Sequence, residues 1–212
     1  MRNCTLWYRF CQFWGQVLFS VFFGIRAYGV RHVPRTGPVI LASTHQSFLD
    51  PIAVELPLAR PGHIMARASL FRNGAFRRLI ESLNAFPVER DSADLSAFRE
   101  AIRRLQEGNM LLVFPEATRT RTGAIGRLRP GLGTLASWSE AAVVPVTIDG
   151  AFECWPRSRR VFRPGKIRVM YGRPMRLTSR RRADRDRFVR ELRSTLVEQQ
   201  QRLREIAGLS AR

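Results

Sequence analysis

A chain of 212 residues with 45% hydrophobic content and scattered glycine and proline can bury a full core, which excludes a disordered or fibrous protein. The formal charge of +19, from 36 basic and 17 acidic residues with Lys166 as the only lysine, calls for a polyanionic partner. Nucleic acid, anionic lipid and the phosphates of coenzyme A all satisfy it. Cys4, Cys11 and Cys154 are scattered, as are His32, His45 and His63, so no zinc pattern forms and a reducing compartment is expected.

From Leu6 to Val30 the chain is crowded with aromatic residues. The 16 residues between Arg9 and Arg26 carry no charge, yet as a helix they span only ~24 Å against a hydrocarbon core of ~30 Å. Thr5, Arg9, Gln12, Gln16 and Ser20 recur at helical spacing and form one thin polar stripe. Such a helix lies in the bilayer interface or dips into one leaflet. A secretory signal is the competing reading, but Gly24 to Tyr28 makes a poor cleavage site. Arg26, Arg31 and Arg35 follow at headgroup level, so residues 1–33 are expected to attach the chain to the cytoplasmic face of the cell membrane.

Val39 to Ser43 reads as a buried strand, and it delivers Thr44-His45-Gln46-Ser47-Phe48-Leu49-Asp50-Pro51. Histidine titrates near neutrality and can take a proton from an alcohol; a carboxylate on its other ring nitrogen would fix the tautomer. Asp50 before Pro51 is equally what a helix N-cap looks like, and spacing alone leaves both readings open. No G-x-S-x-G elbow occurs, so any alcohol deprotonated here is expected to be the substrate's own.

His63 to Ala66 reads as a second strand, with a helix around Phe71 to Leu83 and then Ala85 to Val88. Leu95 to Glu107 is an amphipathic helix ending at Gly108. Met110 to Phe114 is a strand covered on both faces, and it leads into Pro115-Glu116-Ala117-Thr118-Arg119. Charges at the edge of a buried sheet need partners, and a Glu116–Arg119 ion pair is the plain alternative to a binding role. Gly131 to Ala136 matches G-x-G-x-x-A but follows no strand, and is read as a helix start. Val143 to Ile148 is a strand whose Pro145 implies an edge or a bulge. Lys166 to Tyr171 alternates as a half-exposed strand, and a helix from about Ala183 to Ile206 closes the chain. Residues 34–212 thus form one α/β body, a mixed, largely parallel sheet flanked by helices, preceded by the membrane-associated helix.

Four stretches together resemble the glycerolipid acyltransferase family, which includes bacterial 1-acylglycerol-3-phosphate acyltransferases. THQSFLD at 44–50 is similar to its H-x-x-x-x-D motif, NAFPVER at 84–90 to its second, FPEATRT at 114–120 to its third and VVPV at 143–146 to its fourth. Asn84 and Ala117 stand where the family usually has Gly, and Arg67 where it often has Lys. The resemblance implies that His45 is the general base and Asp50 its orienter. It implies that Arg67, Arg90, Glu116, Thr118 and Arg119 hold a lysophosphatidate acceptor. The acyl donor would be acyl-CoA or acyl carrier protein, with no cofactor, metal or nucleic acid required. Another lysolipid acceptor, such as a lyso-ornithine lipid, is the alternative within the class, and a basic nucleic-acid-binding module is the alternative outside it.

Overall fold

A computed structural model describes residues 6–89 and 95–208. In chain order it contains α1 (Leu6–Phe23), β1 (Arg26–Tyr28), β2 (Val39–Ser43), α2 (Asp50–Glu55), β3 (Gly62–Arg67), α3 (Gly74–Ser82) and β4 (Ala85–Val88). The second half adds α4 (Leu95–Gln106), β5 (Met110–Val113), α5 (Gly131–Ser139), β6 (Ala142–Asp149), α6 (Ala151–Cys154), β7 (Arg168–Tyr171) and α7 (Arg182–Ile206). The strands form one seven-stranded sheet in the order β1-β7-β6-β2-β5-β3-β4. Every neighbouring pair is parallel except β6 and β7. The mixed, largely parallel sheet expected from the apolar runs is therefore present.

Strand β2 lies at the centre, and all its residues are buried because both faces of the sheet are covered. Val39 and Leu41 face one layer, where Phe19 and Phe23 of α1 and Ala53 and Val54 of α2 pack. Ile40 and Ala42 face the other, against Leu105 of α4, Leu135 of α5 and Leu192 and Leu196 of α7. Parallel strands share one carboxyl edge, so the loops after β2, β3, β4 and β5 all leave the sheet on the same side.

Pro145 corrects one half of its expectation. It sits in β6, between β2 and β7, not at an edge. The pairing of β6 runs Val146↔Tyr171 and then Val143↔Met175, so the partner chain has one residue more than β6 over the same interval. At this bulge the Gly172 N–H donates to the Pro145 carbonyl at 2.8 Å, and the missing proline N–H falls where the ladder is interrupted.

Helix α1 turns Arg9, Gln12 and Gln16 of its polar stripe onto the chain after α2, whereas Ser20 is exposed and Thr5 lies outside the described residues. Gln12 Nε2 donates to the carbonyls of Leu56 at 3.2 Å and Leu58 at 2.7 Å, Gln16 Nε2 to that of Leu56 at 2.7 Å, and Arg9 to that of Ala59 at 3.1 Å. These are carbonyls just past the end of α2, where helical partners run out. The outward side carries Leu6, Trp7, Phe10, Phe13, Trp14, Leu18 and Val21, all exposed. No helix among the described residues is long and apolar enough to cross a membrane. Residues 26–28, within the stretch read as the attachment segment, form β1 and pair with β7.

Candidate active site

The chain reverses abruptly after β2. The Thr44 N–H donates to the Val146 carbonyl at 3.0 Å and its Oγ1 accepts the Ile148 N–H at 3.0 Å, locking the strand end to β6. His45 follows, only 6% exposed. Its Nδ1 lies 2.8 Å from Oδ2 of Asp50, whose side chain is fully buried. That same oxygen accepts the N–H groups of Gln46 at 2.5 Å and Ser47 at 2.7 Å.

The two readings of Asp50 are thus resolved in geometry. Asp50 opens α2, with Pro51 in the first turn, but its carboxylate reaches back to the preceding turn and makes no cap bond. Burial pushes the Asp50 carboxyl above its ordinary range, while the His45 hydrogen bond and the two amides favour the ionised form. With Nδ1–H donating to the carboxylate, Nε2 carries the lone pair. The Phe114 ring stacks on the imidazole at 4.0 Å between centroids and keeps one of its faces dry.

Glu116 reaches the site from the loop after β5. Its Oε1 accepts the His45 N–H at 2.9 Å and its Oε2 accepts the Gly126 N–H at 2.8 Å. The Thr120 N–H in turn donates to the His45 carbonyl at 2.8 Å. Both backbone ends of His45 are therefore held by the segment 116–120. Burial raises the Glu116 carboxyl above its ordinary range, against the two N–H donors that lower it. No Glu116–Arg119 ion pair is found among the described residues. Instead the Arg119 guanidinium lies over the exposed Phe48 ring, 3.5 Å from its centroid.

A family model described as Acyltransferase matches residues 24–149, from just before β1 to the end of β6. The chain belongs to the Acyltransferase family. A 1-acyl-sn-glycerol-3-phosphate acyltransferase of Bacillus subtilis (strain 168) is 29% identical over 170 residues, 79% of this chain and 82% of that protein. A chloroplastic protein of the same name from Arabidopsis thaliana is 26% identical, over 77% of this chain but only 47% of its own length. The crystal structure of the 1-acyl-sn-glycerophosphate (LPA) acyltransferase PlsC from Thermotoga maritima superposes with a TM-score of 0.75 at 25% identity, covering 90% of this chain and 78% of that one.

Among the residues expected to bind the acceptor, the structure of this acyltransferase gathers Glu116 and Arg119 beside His45 and Asp50, with Thr118 exposed between them. Arg67 ends β3 at the same edge of the sheet, exposed and two strands from β2. Arg90 lies outside the described residues. Asn84 and Ala117 both adopt left-handed backbone, with φ of 64° and 60°. The glycine preference at these positions thus has a backbone cause, worth about 1–2 kcal/mol for a residue with a Cβ.

Several contributors carried no sequence signal. Ser47 Oγ donates to the Trp155 carbonyl at 2.8 Å, and the Trp155 ring sits 5.0 Å from Phe48. Gln46 and Gln200 both donate to the Gly123 carbonyl, at 3.2 and 3.1 Å. Only Gly123, as a turn glycine with φ of 82°, could have been picked out in advance.

Proposed function

We propose that this acyltransferase moves a fatty acyl group from a thioester, acyl-CoA or acyl carrier protein, to the free hydroxyl of lysophosphatidate, giving phosphatidate at the cytoplasmic face of the cell membrane. The observation that carries this reading is the 2.8 Å bond from His45 Nδ1 to the buried Asp50, which leaves Nε2 as a base. The relatives named above carry the acceptor in their names.

His45 Nε2 takes the proton of the acceptor hydroxyl as its oxygen attacks the thioester carbonyl. Asp50 stabilises the imidazolium through Nδ1–H. The tetrahedral intermediate collapses with loss of the C–S bond, and the imidazolium returns its proton to the departing thiolate. The thioester carries its own activation, so this route uses no cofactor or metal. Arg119, presented on Phe48, and Arg67 at the same edge suit a phosphate, which the planar guanidinium binds by paired hydrogen bonds, and Arg90 is proposed to join them by its place in the second motif. Glu116, with both oxygens on backbone N–H groups, serves by fixing His45 in place.

The outward aromatic side of α1 supports monotopic attachment, with the rings at headgroup level and the helix lying in the interface. Both acceptor and product then stay within one leaflet. The test is transfer of labelled acyl groups from acyl-CoA and from acyl carrier protein to lysophosphatidate. His45→Ala should lose about 10²–10⁴ in kcat. Equal activity of the variant and the wild type would overturn the mechanism. Transfer to other lysolipids in preference to lysophosphatidate would reassign the acceptor.

A further inference from the structure

One strand along the sheet from His45, at the same edge, a cleft of about 1330 Å³ opens between the end of β6, the start of β7 and the end of α7. Arg159, Arg163, Lys166, Arg168 and Arg204 line it, against the acidic Asp149, Glu153 and Glu205. Arg204 is engaged by Asp149 at 3.5 Å, and Arg159 Nη1 donates to the Glu153 carbonyl at 3.2 Å. The side chains of Arg163, Lys166 and Arg168 have no hydrogen-bond or ion-pair partner among the described residues. Arg168 is moreover in register with Arg26 of β1, so the sheet sets two cations side by side.

The basic wall of the cleft is built into the fold. The Arg163 N–H donates to the Cys154 carbonyl at 2.8 Å, Gly165 N–H to that of Phe22 at 3.1 Å and Ile167 N–H to that of Phe23 at 2.9 Å. A Cβ at Gly165 would stand 2.6 Å from the Cys154 sulfur, so the loop approaches α6 as closely as glycine allows. The cleft also adjoins the chemistry. The ring of Phe152, in its wall, lies 3.5 Å from where a Cβ on Gly123 would sit, and the Gly123 carbonyl holds the side chain of Gln46, the residue after His45.

We propose that this cleft receives the phosphoadenosine end of coenzyme A, so that the thioester extends from it toward His45; the inference rests on the acyl-transfer reading above. Coenzyme A carries a diphosphate and a ribose phosphate on one nucleoside, and concave cations suit such a compact polyanion. Its volume is ample, since ligand pockets commonly measure about 300–1,000 Å³. An acidic helix of a carrier protein would instead ask for cations on an open, convex surface.

The test combines turnover and direct binding. Arg163→Glu with Lys166→Glu changes two exposed side chains, and an unchanged thermal midpoint checks the fold. In this variant KM for acyl-CoA should rise about tenfold or more, with KM for lysophosphatidate within twofold of wild type. Adenosine 3′,5′-bisphosphate should compete with acyl-CoA in the wild type and lose this effect in the variant. Lys166→Gln should give a smaller rise, and Arg187→Glu, the same charge reversal on the exposed side of α7, none. Calorimetric titration with adenosine 3′,5′-bisphosphate needs no turnover. Saturable binding that the double variant loses supports the cleft whatever the acceptor proves to be, and absence of binding overturns it. An unchanged KM for acyl-CoA overturns it while leaving acyl transfer intact. Exclusive use of acyl carrier protein, impaired by the same substitutions, also overturns it, since the surface would then be a protein dock.

Discussion

Helices α1 and α7 lie on opposite faces of the same sheet and are folded by opposite rules. Helix α7 buries Phe188, Val189, Leu192, Leu196 and Leu203 and turns its arginines outward, as a helix in water does. Helix α1 buries little beyond Tyr8, Phe19 and Phe23, spends its glutamines on the carbonyls past α2, and leaves its aromatic side uncovered. The difference teaches that one face of this protein is finished by its own chain, whereas the other leaves an apolar surface uncovered. The His45–Asp50 pair lies toward the uncovered face, since Asp50 belongs to α2, which packs with α1.

The contrast is broken most directly by removing rings from α1. Phe10→Ser, Phe13→Ser and Trp14→Ser together should lower partition onto anionic lipid vesicles about a hundredfold or more, with no loss of stability toward urea. An equal loss of stability would mean that these rings pack within the protein. On the other face the signs reverse. Leu192→Ala should cost about 2–5 kcal/mol in urea unfolding and leave vesicle partition unchanged, because a fully buried leucine leaves a cavity.

A finer test uses Glu55, buried where α2, β3 and Tyr8 of α1 meet. Burial raises its carboxyl to about 7 from the usual 4.5, against hydrogen bonds from the Gly62 N–H and the Tyr8 side chain. The folded chain then holds a proton that the unfolded chain releases between these values. The stability Glu55 contributes is complete below pH 4.5 and is lost as pH rises through about 7. Unfolding free energies at pH 5 and pH 8 should differ by up to roughly 3 kcal/mol more in wild type than in Glu55→Gln. Parallel profiles for the two proteins would show that the carboxyl is not the source. The smallest effect is expected from Gln12→Leu. It leaves the Leu58 carbonyl without its donor and should cost about 1 kcal/mol in unfolding free energy.

How much of this was legible depends on what set each feature. Val39 to Ser43 and Met110 to Phe114 read as strands because a sheet covered on both faces writes continuous apolar runs, and the second ends one residue earlier, at Val113. The thin polar stripe of α1 was visible too, but not the side it faces, because the carbonyl partners of its glutamines lie 40 to 46 positions along the chain. Strand β1 escaped because three residues hold no pattern, and its pairing with β7 is purely long-range. Pro145 was read as an edge or a bulge, and only tertiary pairing could choose the bulge. His45 and Asp50 stood out by chemistry and spacing. Phe48, which presents Arg119, looked like one more apolar residue in a motif. The basic cleft was hidden for a different reason. In a chain with 36 basic residues, no single arginine announces itself.

The brace from Glu116 to the backbone of His45 links residues 71 positions apart, and it exists only once β2 and β5 have paired. Closing so long a loop comes late relative to local structure. A newly made or partly unfolded chain therefore carries His45 without the brace that holds its backbone in place. On the proposed mechanism, chemical competence arrives together with the centre of the sheet, so enzymatic turnover would double as a report on folding.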